Sequence, residues 1–417
     1  MNMPQFTHPE GWSEVRGNSL PLPDLLQTSP YLTRVMPGHE SPVVYSSDTF
    51  GPTFPGGDPP GPDALFGIIG LDRTITWQSD RLVLVMLREC APRPCDVVRL
   101  TERFGPERVS AAVRRGWLQA PDELCRKYRL VSGEIEVTSH CNWGCRFCPV
   151  SLAPKPRRTM PMDLFEEVIG KLADVPTLDY VTFQFFNEPT LDRHFNDRVQ
   201  MLAQYGVELA LYTNASALTS EKVDCLRRHG ILRHLIVNLP STDEEEFIDL
   251  TGSRSYQQTM RNLQRALEAG FPVQIVVNGV GERLTRNLEA VKRRYEPLGA
   301  QVCRSQTCDR AGELRNEHFQ DVHVQGRLTG CGWPVHHANI SVRGDLFLCC
   351  NDYHQREVFA NIRDGSIDEL MSSDAAVTAR RKVFGVVDAD DGFLCRRCHN
   401  QRADYAGRDF RPIATFG

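Results

Sequence analysis

Three cysteines fall inside eight residues, Cys141, Cys145 and Cys148 in "CNWGCRFCPV", with the spacing C-x3-C-x2-C. Thiolates so close together are ligands for a soft metal. A structural zinc site is closed by four ligands, and nothing adjacent in the chain completes it. An iron–sulfur cube also takes four thiolates, so three leave one iron open, where a small molecule with an amino group and a carboxylate side by side can chelate it. A second set lies downstream. Cys331, Gly344 and Cys349 form C-x12-G-x4-C, and Cys395 and Cys398 follow as C-x2-C. Four thiols with a glycine turn between the first two can close a complete site, either a zinc ribbon or a cluster.

The elements that must position these thiols come from periodicity. From 134 to 304 strand-like and helix-like runs alternate: "EIEVT", "YVTFQFF", "VELALYT", "HLIVNL", "PVQIVV" and "AQVCR" are separated by amphipathic segments such as "MDLFEEVIGKLADV" and "QQTMRNLQRALEAG". Six β–α units predict a parallel sheet. Six is short of the eight that close a full barrel, so an open, partial (β/α)6 TIM-like barrel is expected. The loops after its strands would form the site, and the first such loop carries the three cysteines. The expected organisation is a Pro/Gly-rich arm over 1–63, a winged-helix-like helical module over 64–130, the partial barrel over 131–304 and a small α+β appendage over 305–417.

The chain of 417 residues exceeds what one core of ~250–300 residues supports. A net charge of −5 without long like-sign blocks argues against general nucleic-acid binding. The arginines of the 64–130 module are interleaved with acids, which favours protein packing over DNA contact. No run reaches the ~18–20 apolar residues of a membrane span, and the N-terminus lacks a basic region followed by an apolar one. A cytoplasmic protein with reduced thiols is expected. Of the other cysteines, Cys90, Cys95, Cys125 and Cys225 read as structural; Cys350, beside a ligand candidate, and Cys303 and Cys308, which flank the end of the sixth strand, read as packed thiols, with ligation or hydrogen donation to a radical as the alternative.

The run "EVTSHCNWGCRFCPV", with Phe147 just before the third cysteine and a six-fold β–α alternation after it, resembles the radical S-adenosylmethionine (SAM) superfamily. The resemblance implies a [4Fe-4S] cluster whose open iron holds the methionyl end of SAM. One electron then cleaves the sulfonium to a 5'-deoxyadenosyl radical that takes hydrogen from an unactivated carbon. An external electron donor of flavodoxin or ferredoxin type is implied with it. "FFNEP" stands where the family has Gly-Glu-Pro, with Asn187 in place of the usual glycine, and Glu188 is the expected amino-group partner. Thr213 and Asn214 in "YTNAS", and Asn238 and Ser241 in "VNLPS", are expected at the ribose or carboxylate.

The second thiol set resembles the truncated SPASM appendage called a twitch domain, which implies a second, auxiliary [4Fe-4S] cluster on Cys331, Cys349, Cys395 and Cys398. "CDRAGELRN" resembles the bridge of twitch-bearing aminocyclitol dehydrogenases, which makes Arg310 the expected substrate-cleft cation and Asp352 the expected base. The function so implied is a radical SAM oxidoreductase acting on a polar natural-product intermediate (aminocyclitol, amino sugar or nucleoside sugar) by oxidation, epimerisation or deoxygenation. The rival within the superfamily is a peptide maturase that reads a leader with the 64–130 module, although that module shows no evident strands for β-addition. An iron–sulfur regulator that binds DNA is the alternative from another class.

Overall fold

The protein is described from a computed structural model that covers residues 22–35, 37, 60–314, 318, 326–398 and 411–412. Its central sheet contains β1 (Ser132–Ile135), β2 (Tyr180–Phe183), β3 (Leu209–Thr213), β4 (Leu232–Asn238), β5 (Val273–Gly279), β6 (Gln301–Gln306), β7 (His337–Ile340), β8 (Asp345–Phe347) and β9 (Val358–Asn361). Their spatial order is β6-β5-β4-β3-β2-β1-β7-β8-β9. Strands β1 to β6 run parallel. Strand β7 adds parallel to the free side of β1, and β8 and β9 return antiparallel. Among the described residues β6 and β9 end the sheet, so the barrel is open there, and the appendage continues the same sheet.

Helices cover one face: α1 (Met162–Ala173), α2 (Phe195–Gln204), α3 (Ser220–His229), α4 (Glu244–Thr251), α5 (Tyr256–Glu268) and α6 (Gly281–Tyr295). In α1 the apolar residues Leu164, Phe165, Val168, Ile169 and Leu172 fall on one stripe and are all buried. Each contributes about 1.5–3 kcal/mol of burial. Gly133 of β1 lets this helix approach, since a Cβ there would lie 2.6 Å from Leu172 Cδ1. Helix α4 was not anticipated. Its signals are nevertheless local: Asp243 caps it by accepting from Glu246 N, and Gly252 ends it in the left-handed region at φ 63°.

The opposite face of the sheet mixes polar and apolar side chains. Ser132, Glu134, Tyr180, Thr182 and Gln274 are buried there among Val131, Ala210, Ile236 and Val276. Alternation sends the apolar partners Ile135, Val181, Phe183, Leu209, Leu211, Val273 and Ile275 to the helix side.

Ahead of the barrel, the helices Arg81–Glu89, Val97–Phe104 and Pro106–Arg114 lie where the sequence places them. The absence of evident strands is corrected: Thr33–Val35, Phe66–Ile69 and Ile75–Gln78 form an antiparallel sheet, joined at the Thr33–Val35 edge by Arg411–Pro412. These strands are too short for alternation to stand out, and Thr33–Val35 pairs with a segment distant in sequence. Leu25–Thr28 is a further strand of the arm; most of the arm lies outside the described residues. Among the described residues, no helix is long and apolar enough to cross a membrane.

Candidate functional site

The three-cysteine loop is pinned from outside by α4. Gly144 N donates to Thr251 O at 2.8 Å, Arg146 N donates to Leu250 O at 3.0 Å, and the Trp143 indole donates to Ser255 Oγ at 3.1 Å. Trp143 also packs edge-on against Phe247, with centroids 5.0 Å apart. Inside the loop, Cys148 N donates to Cys145 O at 3.0 Å and Trp143 N to Cys141 Sγ at 3.5 Å. Burial, joined by the charges of Glu188 and Cys148, pushes the Cys141 thiol up to about 12. Burial and then the neighbouring Cys148 and Cys141 raise Cys145 as well. Such thiols lose their protons to a bound cation rather than to water. Among the described residues no three His, Cys, Asp or Glu side chains converge on one ion, whereas an iron–sulfur cube takes each thiolate on a separate iron.

Glu188 joins the ends of β2 and β3 to this loop. Its Oε1 accepts from Thr190 N at 3.0 Å and Thr213 Oγ1 at 2.7 Å, and from Thr190 Oγ1; its Oε2 accepts from Asn214 N at 2.6 Å. Burial raises its carboxyl above the usual range, against these hydrogen bonds. Asn214 donates to Asn142 Oδ1 at 3.0 Å and lies 3.9 Å from Cys141 Sγ. Glu188, Thr213 and Asn214 therefore share one network with the first cysteine. Asn187, where the resemblance expects glycine, donates to Thr138 O at 2.6 Å, while its Oδ1 is buried without a hydrogen-bond partner. That orphan acceptor, beside the thiol loop, suits the ammonium of a bound methionyl group. The preceding Phe185 sits at φ 91°, a strained position for a side-chain-bearing residue.

Two expected cofactor residues lie apart from this network. Asn238 accepts from Asn278 Nδ2 at 2.5 Å, tying β4 to β5. Ser241 is committed to a turn: its Oγ donates to Glu246 Oε2 at 2.7 Å and accepts from Asp243 N at 3.1 Å.

In the appendage, Cys331, Cys349, Cys395 and Cys398 come together. Burial raises Cys349 far above its ordinary value, and the charges of Cys350, Cys395, Cys398 and Cys331 add to it. Burial raises Cys395 in the same way, helped by Cys398 and Cys331. Asn351 Nδ2 donates to Cys398 Sγ at 3.3 Å. The glycine turn expected between the first two ligands is present, with Gly344 at φ 86° and its N donating to Ser341 O at 2.9 Å.

Arg310 lies between the two sets. Burial alone would lower its guanidinium pKa, but Cys308, Cys350, Cys148 and Cys349 outweigh that and raise it. Its Nη1 donates to Asn351 Oδ1 at 3.1 Å, its guanidinium stands 4.9 Å from the Phe186 ring centroid, and its Nε is buried without a partner. Cys350 turns toward Arg310, Cys308 and Glu134. Asp352, the expected base, instead closes a turn: its two oxygens accept from Arg356 N at 3.0 Å and Glu357 N at 2.8 Å.

Sequence reading missed a polar group on the concave face. Glu134 accepts from Ser132 Oγ at 2.5 Å, from Thr182 Oγ1 at 2.7 Å and from Gln184 Nε2, and His337 Nδ1 lies 3.4 Å from it. The signal was available, since a carboxylate inside the buried strand "GEIEV" must be compensated.

Residues 135–286 match the family model described as "Radical SAM superfamily", and residues 331–399 the one described as "Iron-sulfur cluster-binding domain", called SPASM. The S-adenosyl-L-methionine-dependent 2-deoxy-scyllo-inosamine dehydrogenase of Niallia circulans is 22% identical over 64% of this chain and 92% of its own length. The GTP 3',8-cyclase of Vibrio cholerae is 25% identical over 52% of this chain and 66% of its own length. Among solved structures, Streptococcus suis SuiB bound to the precursor peptide SuiA superposes with a TM-score of 0.52 at 10% identity, covering 94% of this chain and 100% of that one.

Proposed function

We propose that this chain, a radical SAM enzyme with a SPASM iron–sulfur domain, removes hydrogen from a polar, hydroxyl- or amine-bearing natural-product intermediate of the aminocyclitol or amino-sugar kind. The observation that carries this reading is Arg310, a buried guanidinium that feels cysteines of both thiol sets, Cys148 and Cys349. Glu134, Ser132 and Thr182 are buried and paired with one another on the sheet face away from the helices. Arg310 keeps a buried Nε without a hydrogen-bond partner. Such a buried donor favours a ligand with hydroxyl or amine acceptors, because an apolar ligand would leave it unpaired.

Cys141, Cys145 and Cys148 would hold the first [4Fe-4S] cluster; when bound, it supplies the electron that cleaves SAM to the hydrogen-abstracting radical. Cys331, Cys349, Cys395 and Cys398 would hold the auxiliary cluster. The chain's own residues do the positioning. Asn187 Oδ1 accepts from the methionyl ammonium, and Glu188 fixes the strand ends that carry Asn214. Arg310 donates to a substrate hydroxyl, and its positive charge favours loss of that proton once the neighbouring carbon has lost hydrogen. The likeness to the Niallia circulans dehydrogenase supports an aminocyclitol substrate.

A peptide substrate is the second reading. It is favoured by the N-terminal antiparallel sheet, which the Ile75–Gln78 strand ends among the described residues, as β-addition requires, and by the extent of the fold likeness to SuiB. Anaerobic reconstituted enzyme with dithionite and SAM, offered 2-deoxy-scyllo-inosamine, related aminocyclitols and neighbour-encoded peptides, separates the two. The proposal expects 5'-deoxyadenosine with a matching change in aminocyclitol mass. Coupled turnover of a peptide alone would replace it.

A further inference from the structure

The second thiol set has a neighbour that comes from the other end of the chain. Tyr31 lies in the turn between Leu25–Thr28 and Thr33–Val35. The first of these strands pairs with Cys95–Asp96 and Leu118–Gln119, and the second with Phe66–Ile69. The N-terminal module therefore fixes where this ring stands. Although it carries a hydroxyl, Tyr31 is only 6% exposed. Its Oη donates to Lys127 O at 3.0 Å, and its ring meets Phe384 edge-on with centroids 4.8 Å apart. Phe384 passes the contact on. A Cβ on Gly330 would collide with Cδ1 and Cε1 of that ring, so Phe384 packs directly on the backbone of the residue before Cys331.

The helix that ends at Phe384, Asp374–Val383, is tied to the same N-terminal region from a second side. Its buried Arg380 donates from Nε to Cys125 O at 2.8 Å and from Nη2 to Arg126 O at 3.1 Å, and Arg381 Nε donates to Leu124 O at 3.0 Å. Arg129 N then donates to Val335 O at 3.0 Å. The segment 124–129, which leads from the module into the barrel, is thus bonded to the appendage along its length. Tyr31 and Cys125 share one apolar cluster with Leu348, Phe384, Cys395 and Cys398, against which Leu71, Cys331 and Cys349 pack. The first thiol set belongs to a different cluster, whose earliest member among the described residues is Tyr128.

We propose that the N-terminal module forms one wall of the second thiol site, with Tyr31 as a positioning residue that, through Phe384, holds Gly330 and Cys331 in place and keeps water from the group bound there. The inference rests on the reading that Cys331, Cys349, Cys395 and Cys398 hold an iron–sulfur cluster. A contact that merely joined two domains would leave both thiol sets indifferent to Tyr31, whereas here a single ring separates it from the residue beside a ligand. Solvent exposure is among the factors that set a cluster's potential, and the apolar shell controls that exposure. Reduction adds negative charge, which a dry surrounding disfavours. Admitting water therefore raises the potential.

The test uses the reconstituted full-length enzyme and follows the two clusters separately by electron paramagnetic resonance. Tyr31→Ala should lose the auxiliary signal to a chelator about tenfold faster, the size of effect usual for groups that support a metal's ligands, and should shift the auxiliary midpoint potential upward. Its first-cluster signal and its dithionite-driven SAM cleavage should match wild type. Tyr31→Phe keeps the ring, gives up the hydroxyl and should behave as wild type. If Tyr31→Ala does not fold, Tyr31→Leu is measured in its place by the same criteria. A chelator rate and potential unchanged in Tyr31→Ala overturn the proposal, as does an equal loss of both cluster signals or a Tyr31→Phe variant as impaired as Tyr31→Ala. Should the wild type show no second cluster signal, the cluster reading fails, and the wall is judged by mass spectrometry of Cys331 labelled with iodoacetamide. Faster labelling in Tyr31→Ala supports the wall, and equal rates overturn it.

Discussion

Cys141, Cys145 and Cys148 come from one eight-residue stretch, whereas Cys331, Cys349, Cys395 and Cys398 come from segments that only the folded appendage brings together. The first set is pinned from outside by α4, and its inner side is left to Asn187, Asn214 and the Glu188 network. The second is packed into an apolar cluster with Val335, Leu348, Phe384, Phe393 and Leu394. A contiguous loop can present thiols while leaving one direction free for a small molecule. A site gathered from distant segments spends all its ligands on closure, and its stability depends on the domain around it. The contrast teaches that openness follows from how the ligands are strung as well as from how many there are.

Removing one ligand from each set tests this directly. Cys145→Ala should lower SAM cleavage by more than ~100-fold, beyond the usual cost of losing a supporting residue around a metal. Quantifying 5'-deoxyadenosine under anaerobic reduction checks it. Cys395→Ala should leave SAM cleavage in place, remove roughly half the iron and abolish the substrate-derived product. Iron and sulfide analysis with low-temperature electron paramagnetic resonance would show whether one cluster signal disappears. If Cys395→Ala also abolished SAM cleavage, the division of labour between the sites would be wrong.

Arg310 bridges the two regions, so its replacement probes their cooperation. Arg310→Lys keeps the charge but loses the planar fork that meets Asn351 and Phe186. Substrate turnover should fall about 100-fold, as misplacement of a reacting group commonly does, while cleavage of SAM without substrate continues. Asn187→Ala acts on the open site alone. It should raise the KM for SAM by about 10- to 100-fold, the worth of one hydrogen bond to a charged group, and leave the auxiliary cluster signal unchanged.

These two regions were also legible to different degrees in the sequence. The cysteine spacings, the six β–α units and the glycine turn at Gly344 are local patterns that need no tertiary information. The pinning of the thiol loop was not legible, because Thr251 and Leu250 meet Gly144 and Arg146 only after the strands between them have been laid down. Ser241 and Asp352 show the opposite difficulty. A hydroxyl or carboxylate at a strand or turn end looks the same in sequence whether it faces a ligand or caps the backbone, and here both cap. The orphan Oδ1 of Asn187 became visible only when its amide was found bonded to Thr138.

The smallest effects come from two glycines that serve the two sites in different ways. Gly252 stands at φ 63°, and a Cβ there would lie 3.2 Å from the backbone oxygen of Gly144, inside the thiol loop. Gly344 stands at φ 86°, and its Cβ would meet Ile362 Cγ2, a methyl on the branched Cβ of a buried residue, at 2.8 Å and Leu164 Cδ1 at 3.2 Å. The left-handed backbone costs either alanine about 1–2 kcal/mol, and the 2.8 Å contact at Gly344 adds to this, so its thermal midpoint should fall further than that of the Gly252 variant. Their consequences for iron should diverge. At Gly252 the strain presses on backbone that fixes Cys145, so Gly252→Ala should slow reconstitution of the first cluster and spare the second. At Gly344 the clash falls on the buried Ile362, and the turn carries the strand leading to Cys349, so Gly344→Ala should weaken the auxiliary signal and spare SAM cleavage. Melting curves paired with cluster-specific resonance signals decide the matter, and equal losses of both signals in either variant would mean that the two sites share one folding unit.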